Sequence, residues 1–316
     1  MTVAAVILAQ RRTEELDRVL GRLEEIGVDE VLVVDNGLGA AARAAIEAAP
    51  RTRVLGTGTN LGIAGRNLAA RETDAEFLLM LDDDSFPLPG TLEVLLDAFR
   101  SSPRLAVAGG LIRDIDPTGR VLRLDELGTF DWFLRAGRAD EPAQGLPSFF
   151  FPEGGCMMRR DAFLDVGGYF EPYFFAGVEL DLTTRLVAGG WEVRYFPQAR
   201  FDHLKREVSR APGPARRRLM IRNQLWYFWL NFPLPLAARR VAGYLLFDLV
   251  FAIHGGMPRA WFGGIADAWR DRELVRGRRR PLPRETLRRA ELNRGRTHVR
   301  LLVEQARRRL PALRRA

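Results

Sequence analysis

Phe77-Leu78-Leu79-Met80-Leu81-Asp82-Asp83-Asp84-Ser85-Phe86-Pro87 is the stretch on which the reading of this chain turns. Its apolar run predicts a buried strand that stops at three consecutive carboxylates. Pro87 has no backbone N–H, so the strand is expected not to continue through it. Three adjacent like charges repel one another, a cost that a divalent cation with oxygen ligands, Mg²⁺ or Mn²⁺, reverses. A solvated acidic turn accounts for the same residues, and the flanking segments have to decide.

Upstream, Val3 to Leu8 reads as a buried strand, and Leu16, Val19, Leu20, Leu23 and Ile26 fall at helical spacing behind Thr13, a candidate N-cap. Glu30 to Val34 is a second strand ending in Asp35-Asn36-Gly37. Strand, helix, strand over this length predicts a right-handed crossover in a parallel sheet. Ala40 to Ala49 is a second helix and Thr52 to Leu55 a third strand. A glycine-rich loop, Gly56 to Gly65, then opens a helix toward Arg71. Its glycines permit close backbone approach to an anion, and the helix start offers N–H groups. Gly56, Gly58 and Gly62 lack dinucleotide-fingerprint spacing. Ligands of open parallel sheets bind beyond the carboxyl ends of the strands, so Asp35, the loop before Asn67, and Asp82 to Asp84 are expected to share one crevice.

Downstream, Thr91 to Phe99 is an amphipathic helix, Leu105 to Ile112 a strand, and Asp114 to Gly145 an irregular stretch. Asp161 starts a short helix that ends at Gly167-Gly168. Glu179 and Asp181 lie near the start of another helix, where capping alone would account for them. Glu192 to Phe196 is a strand, followed by Phe201-Asp202-His203.

The chain has 316 residues, 47% hydrophobic and 28% charged, enough for a large core and unlike a disordered protein. A lone cysteine, Cys156, excludes an intrachain disulfide and a multi-cysteine zinc site and suits a reducing compartment. Val3 to Ala9 has no basic residue before it and Arg11-Arg12 behind it, the wrong charge order for a signal peptide. From Arg270 onward 17 arginines face 5 acidic residues, so this tail carries +12 of a net +8 and the remainder carries −4. Such a basic end attracts anionic lipid or nucleic acid.

Taken in order, Val33-Val34-Asp35-Asn36, Asn60-Leu61-Gly62 with Asn67, Leu81-Asp82-Asp83-Asp84, Gly154-Gly155-Cys156-Met157-Met158-Arg159-Arg160 with Gly167-Gly168, Glu179-Leu180-Asp181-Leu182 with Arg185, Gly190-Trp191 and His203 resemble glycosyltransferase family 2. The resemblance covers residues 3 to about 205. It implies the GT-A fold: an α/β, Rossmann-like nucleotide-binding domain with a mostly parallel central sheet, here carrying a C-terminal helical extension. It also implies inverting transfer of a sugar from a UDP- or dTDP-sugar to a hydroxyl of a glycan, lipid-linked or cell-wall acceptor. Carried over, Asp35 would contact the nucleobase, Asn60, Asn67, Asp82 and Asp83 would line the donor, and Asp82, Asp84 and His203 would hold Mn²⁺ or Mg²⁺. Glu179 would be the base that takes the acceptor proton, and Asp181 would orient the loop or meet the acceptor. Relatives usually carry an acid where this chain has Val178, so a like charge that would raise the pKa of Glu179 is expected to be missing. Relatives also commonly have Thr-Tyr-Asn-Arg where this chain has Ala9-Gln10-Arg11-Arg12, which removes an aromatic expected near the base.

The expected organisation is a catalytic domain over 1–210, amphipathic helices over 211–275 and an arginine-rich tail over 276–316. No apolar run after residue 210 reaches the roughly 18 uncharged residues of a membrane span. Trp226, Trp229, Trp261 and Trp269 with the basic tail predict peripheral contact with an anionic membrane at its cytoplasmic face, and no specific nucleic-acid partner is expected. A helical cap packed on the catalytic domain, a nucleotidyltransferase and a non-catalytic binding protein are the competing readings.

Overall fold

The computed structural model describes residues 1–56, 58–124, 143–148, 150–205 and 213–287. The elements run β1 (Val3–Ala9), α1 (Glu14–Ile26), β2 (Glu30–Asp35), α2 (Ala40–Glu47), β3 (Thr52–Leu55), α3 (Ala64–Arg71), β4 (Phe77–Asp82), β5 (Ser85–Pro87), α4 (Thr91–Ser101), β6 (Leu105–Ile115), β7 (Val121–Leu124), β8 (Leu146–Pro147), β9 (Gly155–Arg159), α5 (Arg160–Asp165), α6 (Val178–Ala188), β10 (Glu192–Leu204), α7 (Pro214–Asn231), α8 (Leu234–His254), α9 (Pro258–Arg270) and α10 (Glu273–Arg276). They form one sheet in the order β3-β2-β1-β4-β9-β6-β10-β5, with β7 beside β6 and β8 beside β10. The β1/β2, β1/β4, β2/β3 and β6/β10 pairs are parallel, while β9 runs antiparallel between β4 and β6.

Both faces of the sheet are buried, which is why its strands read as continuous apolar runs. Alternation sorts β1: Ala5, Ile7 and Ala9 join Leu16, Val19 and Leu23 of α1 and Leu95 and Phe99 of α4 in one layer. Ala4 and Val6 join Ala69 of α3, Phe163 of α5, Leu182 of α6 and Trp226 of α7 in the other. Helix α7 therefore packs into the same core as the sheet. The α1 start is as expected, with the Leu16 N–H donating to Thr13 Oγ1 at 3.2 Å.

Strand β4 stops at the carboxylates as expected, and Pro87 is the last residue of β5, a short strand paired antiparallel with β10 at the sheet edge, the place where a residue without an N–H is tolerated. One expectation is corrected. The stretch from Asp114 is not irregular throughout: β6 continues to Ile115 and turns into β7, while residues 125–142 lie outside the described part. The tail beyond residue 287, on which the basic end rests, also lies outside it.

Candidate active site

Strand β4 delivers Asp82 to the carboxyl edge of the sheet, and the chain then turns through Asp83 and Asp84 into β5. The turn is pinned from behind. The Asp82 N–H donates to Ser85 Oγ at 2.9 Å, and the Ser85 hydroxyl donates to the Gly154 carbonyl at 2.6 Å. A Cβ at position 154 would stand 2.5 Å from Asp82 Oδ2, so a larger residue there would push the Asp82 carboxylate out of place. Across the edge, the Leu204 N–H donates to the Asp84 carbonyl at 2.8 Å, which brings His203 to Asp84.

Asp82, Asp84 and His203 each offer a ligand atom, and these atoms lie within 4.8 Å of one another. His203 Nε2 is 2.9 Å from Asp84 Oδ1, and its Nδ1 is 2.9 Å from Asp114 Oδ1. The second contact follows from register, because β10 and β6 pair His203 with Asp114. A carboxylate on Nδ1 turns Nε2 toward the acidic pair, the arrangement usual behind a metal-bound histidine. Two carboxylates and one imidazole suit Mn²⁺ or Mg²⁺. Burial works against a charged His203, yet its bonds to Asp114 and Asp84 outweigh that and push its pKa up to about 9. Burial, and then the charges of Asp84 and Asp82, push Asp83 up to about 6. A cation among these groups relieves the repulsion that raises Asp83, and at Nε2 it takes the place of the His203 proton.

Arg66, from α3, is 1% exposed and ties the acidic turn to the loop before β9. Its Nη2 donates to Asp82 Oδ1 at 2.9 Å and to the Leu81 carbonyl at 3.2 Å, and its Nη1 donates to the Glu153 carbonyl at 2.7 Å. Burial opposes its charge, but Glu153 and Asp82 more than compensate and raise its pKa. Beyond Arg66 stand Glu153 and Glu179. Burial and the neighbouring Glu153 push the Glu179 carboxyl up to about 8, with Arg216 and Arg66 pulling the other way. Glu153 is likewise raised, by burial first, despite Arg66. The expected loss of a like charge beside Glu179 is thus corrected: Val178 brings none, but Glu153 supplies it from another part of the chain.

The other sequence candidates divide. Asp35 is buried, and its Oδ1 accepts from the Gly37 and Leu38 N–H groups at 2.9 and 2.6 Å, while Arg43 reaches its Oδ2 at 3.5 Å. Asn60 Oδ1 accepts from the Gly62 N–H at 2.8 Å on the exposed loop. Asn67, expected to line the donor, is interior instead: its Oδ1 accepts from the Tyr169 N–H at 2.8 Å and its Nδ2 donates to the Tyr169 carbonyl at 2.8 Å. Gly168, at φ 65°, presses against this amide, so no larger residue fits. The N–H groups just before α3 have protein partners: Leu61 donates to Asn36 Oδ1, Gly62 to Asn60 Oδ1 and Ile63 to the Phe174 carbonyl. Asp181 does not face an acceptor: it is 2% exposed, with Arg185 at 2.8 Å and Asn231 donating at 2.9 Å.

The family model for Glycosyl transferase family 2 matches residues 5–167, more than half of the chain. The chain belongs to this family. The N-acetylglucosaminyl-diphospho-decaprenol L-rhamnosyltransferase of Mycobacterium tuberculosis (strain ATCC 25618 / H37Rv) is 32% identical over 209 residues, 55% of this chain and 66% of that protein. The pre-mycofactocin glycosyltransferase of the same strain is 30% identical over 143 residues, 44% of this chain and 29% of that protein. The chain therefore spans just under two thirds of the first relative's length and less of the second. Two solved structures share its fold at 15% identity. GalNAc-T7 with UDP, GalNAc and Mn²⁺ superposes at TM-score 0.59 over 73% of this chain and 48% of that one. The mannosyltransferase PcManGT from Pyrobaculum calidifontis, with GDP-Man and Mn²⁺, superposes at 0.55 over 85% and 87%. The fold is GT-A.

Beyond the segment matched by the family model, α7 holds the loop that leads into α6 and Glu179. Asn223 Nδ2 donates to the carbonyls of Tyr173, Phe175 and Ala176 at 3.0, 2.7 and 2.8 Å, and Arg222 donates to those of Pro172 and Tyr173 at 2.9 and 3.0 Å. That loop runs Phe174 and Ala176 through positive φ, a conformation these two helix side chains keep in place. Sequence reasoning missed Asp114, Arg66, Glu153 and Asn223. Ile112 and Ile115, spaced on either side of Asp114, were the one local sign that β6 continues.

Proposed function

We propose that this family 2 glycosyltransferase moves a sugar from a UDP- or dTDP-sugar to a hydroxyl of a lipid-linked or other glycan acceptor, with inversion and with a divalent metal. The observation that carries this reading is the convergence of Asp84 and His203, the latter oriented by Asp114, with Arg66 linking the same acidic turn to the surroundings of a half-buried acid, Glu179. Asp84 and His203 would hold the cation, with Asp82 as a third ligand or as a contact to the donor. A bound Mn²⁺ or Mg²⁺ supplies positive charge against which the diphosphate leaves. Glu179 accepts the acceptor hydroxyl's proton as that oxygen bonds to the anomeric carbon, whose bond to the diphosphate breaks with its electron pair leaving on the nucleotide. Desolvation and Glu153 raise the Glu179 carboxyl to about 8, which makes it a stronger base than an ordinary carboxylate. Asp35 is the candidate contact to the base, through the loop that it organises. Asn67 and Asp181 serve by holding the Tyr169 turn and α6.

The rhamnosyltransferase relative is named for a polyprenyl diphosphate sugar, N-acetylglucosaminyl-diphospho-decaprenol, which favours a lipid-linked acceptor. No helix among the described residues is long and apolar enough to cross a membrane. Along α8, however, Leu246, Val250 and Ile253 are exposed on successive turns and Leu234 is exposed at its start, with Phe262 and Trp269 exposed on α9. Arg272 lies 4.6 Å over the Trp269 ring and Arg279 5.1 Å over Trp229. Apolar and aromatic side chains rimmed by arginine suit the interface of an anionic bilayer, where such an acceptor would be met.

A panel of nucleotide sugars assayed with Mn²⁺ and with chelator tests the reading. Transfer is expected only with metal, and is expected to be lost in Asp84→Ala and Glu179→Gln. Turnover that survives both substitutions, or release of pyrophosphate in place of a nucleoside diphosphate, overturns it.

A further inference from the structure

His203 Nε2 meets two partners at the same distance. Asp84 Oδ1 lies 2.9 Å from it and Lys205 Nζ lies 2.9 Å from it, while Nδ1 is already engaged by Asp114. An imidazole nitrogen carries a proton to donate or a lone pair to offer, never both. With the proton in place Asp84 is satisfied and the ammonium faces a positive ring. With the lone pair in place Lys205 donates to it and the Asp84 carboxylate faces a second acceptor. A cation bound between Asp84 and Nε2 makes both of them ligands, and its charge then repels the lysine.

Lys205 is placed to respond. Its backbone is held at the end of β10 by its N–H donating to the Ile115 carbonyl at 2.8 Å, so only the side chain has to move. It is also the sole lysine in a chain with 48 lysine and arginine residues in all. An ammonium on a four-carbon stem is a compact charge that can occupy an ion's place, which a planar guanidinium does poorly.

We propose that Lys205 exchanges with the divalent cation. Without metal and donor its ammonium serves as counter-charge to the Asp84–His203 pair, and with both bound it turns to the diphosphate oxygens. This rests on the metal and diphosphate reading above and adds a role for a residue outside that ligand set. Metal and donor binding become coupled, because the lysine displaced by one is the partner gained by the other.

The test compares the full chain with Lys205→Met and Lys205→Arg, each first shown to melt like the parent. Free Mn²⁺ is followed by its electron paramagnetic resonance signal, and UDP and dTDP binding by calorimetry with Mn²⁺ present. Lys205→Met is expected to bind Mn²⁺ alone more tightly, by roughly threefold or more, since a competing charge is gone. With Mn²⁺ it is expected to bind the nucleoside diphosphate roughly tenfold more weakly, the loss of one charge-assisted contact, and Lys205→Arg is expected to recover most of that. Mn²⁺ affinity in Lys205→Met equal to or below that of the parent overturns the inference, as does unchanged diphosphate affinity. If neither protein binds Mn²⁺, the metal reading falls and takes this inference with it.

Discussion

Asp114 and His203 sit opposite each other on neighbouring parallel strands, and the carboxylate holds Nδ1 of the ring at 2.9 Å. Replacing Asp114 with Asn leaves the shape and removes the charge that orients and enriches Nε2. Mn²⁺ affinity is expected to fall by about 10-fold or more, the usual cost of losing such a partner. A Mn²⁺ titration that shows no difference between Asp114→Asn and the parent would remove Asp114 from the site.

Glu179 predicts a pH profile. With its carboxyl pushed up to about 8, kcat/KM is expected to rise with pH through that value and level off above it. Glu179→Gln is expected to lose about 10²–10⁴ in rate while still binding nucleotide. Stability should move oppositely. A raised carboxyl pKa means the folded state holds a proton that the unfolded state has released between roughly pH 4.5 and 8. Unfolding free energy should therefore fall across that window, and urea titrations of Glu179→Gln should show the fall reduced.

Glu153 is the second contributor to that shift, after burial. Substituting Gln removes its charge and leaves Glu179 half-buried, so the acidic limb of the rate profile is expected to move to lower pH. An unmoved limb would mean that burial alone sets the base.

Arg66 is a structural prediction. Its guanidinium is fully enclosed and bonds two carbonyls and Asp82. Arg66→Met leaves those acceptors uncompensated and is expected to cost about 3–5 kcal/mol, read from denaturant unfolding. A loss under about 1 kcal/mol would show that water replaces the side chain freely.

The α8 face can be tested apart from the chemistry. Flotation with phosphatidylglycerol vesicles is expected to recover the parent chain and to lose most of a Leu246→Glu/Ile253→Glu double variant, at unchanged melting temperature. These side chains are 70% and 61% exposed, so the substitutions disturb no packing. Equal recovery of both would exclude this face as the contact.

Periodicity placed nearly every helix and strand of the first hundred residues, because a sheet buried on both faces leaves continuous apolar runs and its helices leave a stripe. The acidic turn and its metal-ligand candidates were likewise visible as local clusters of unusual side chains. Partnership across the chain was not. Asp114 stands 89 residues from His203, and only strand register brings them together. Glu153 and Glu179, 26 residues apart in sequence, are half-buried and electrostatically coupled in the fold, so the like charge that Val178 leaves out comes from a distant part of the chain. Asn67, Asp181 and the amides of Leu61, Gly62 and Ile63 looked available as ligand groups, and the fold spends them on its own backbone and side chains. Sequence by itself determined the α/β architecture, the acidic turn and the identity of the base candidate, since these depend on residue type and local pattern. Tertiary structure alone decided which polar groups are satisfied and which remain to act, because hydrogen-bond partnership and desolvation are set by neighbours distant in the chain.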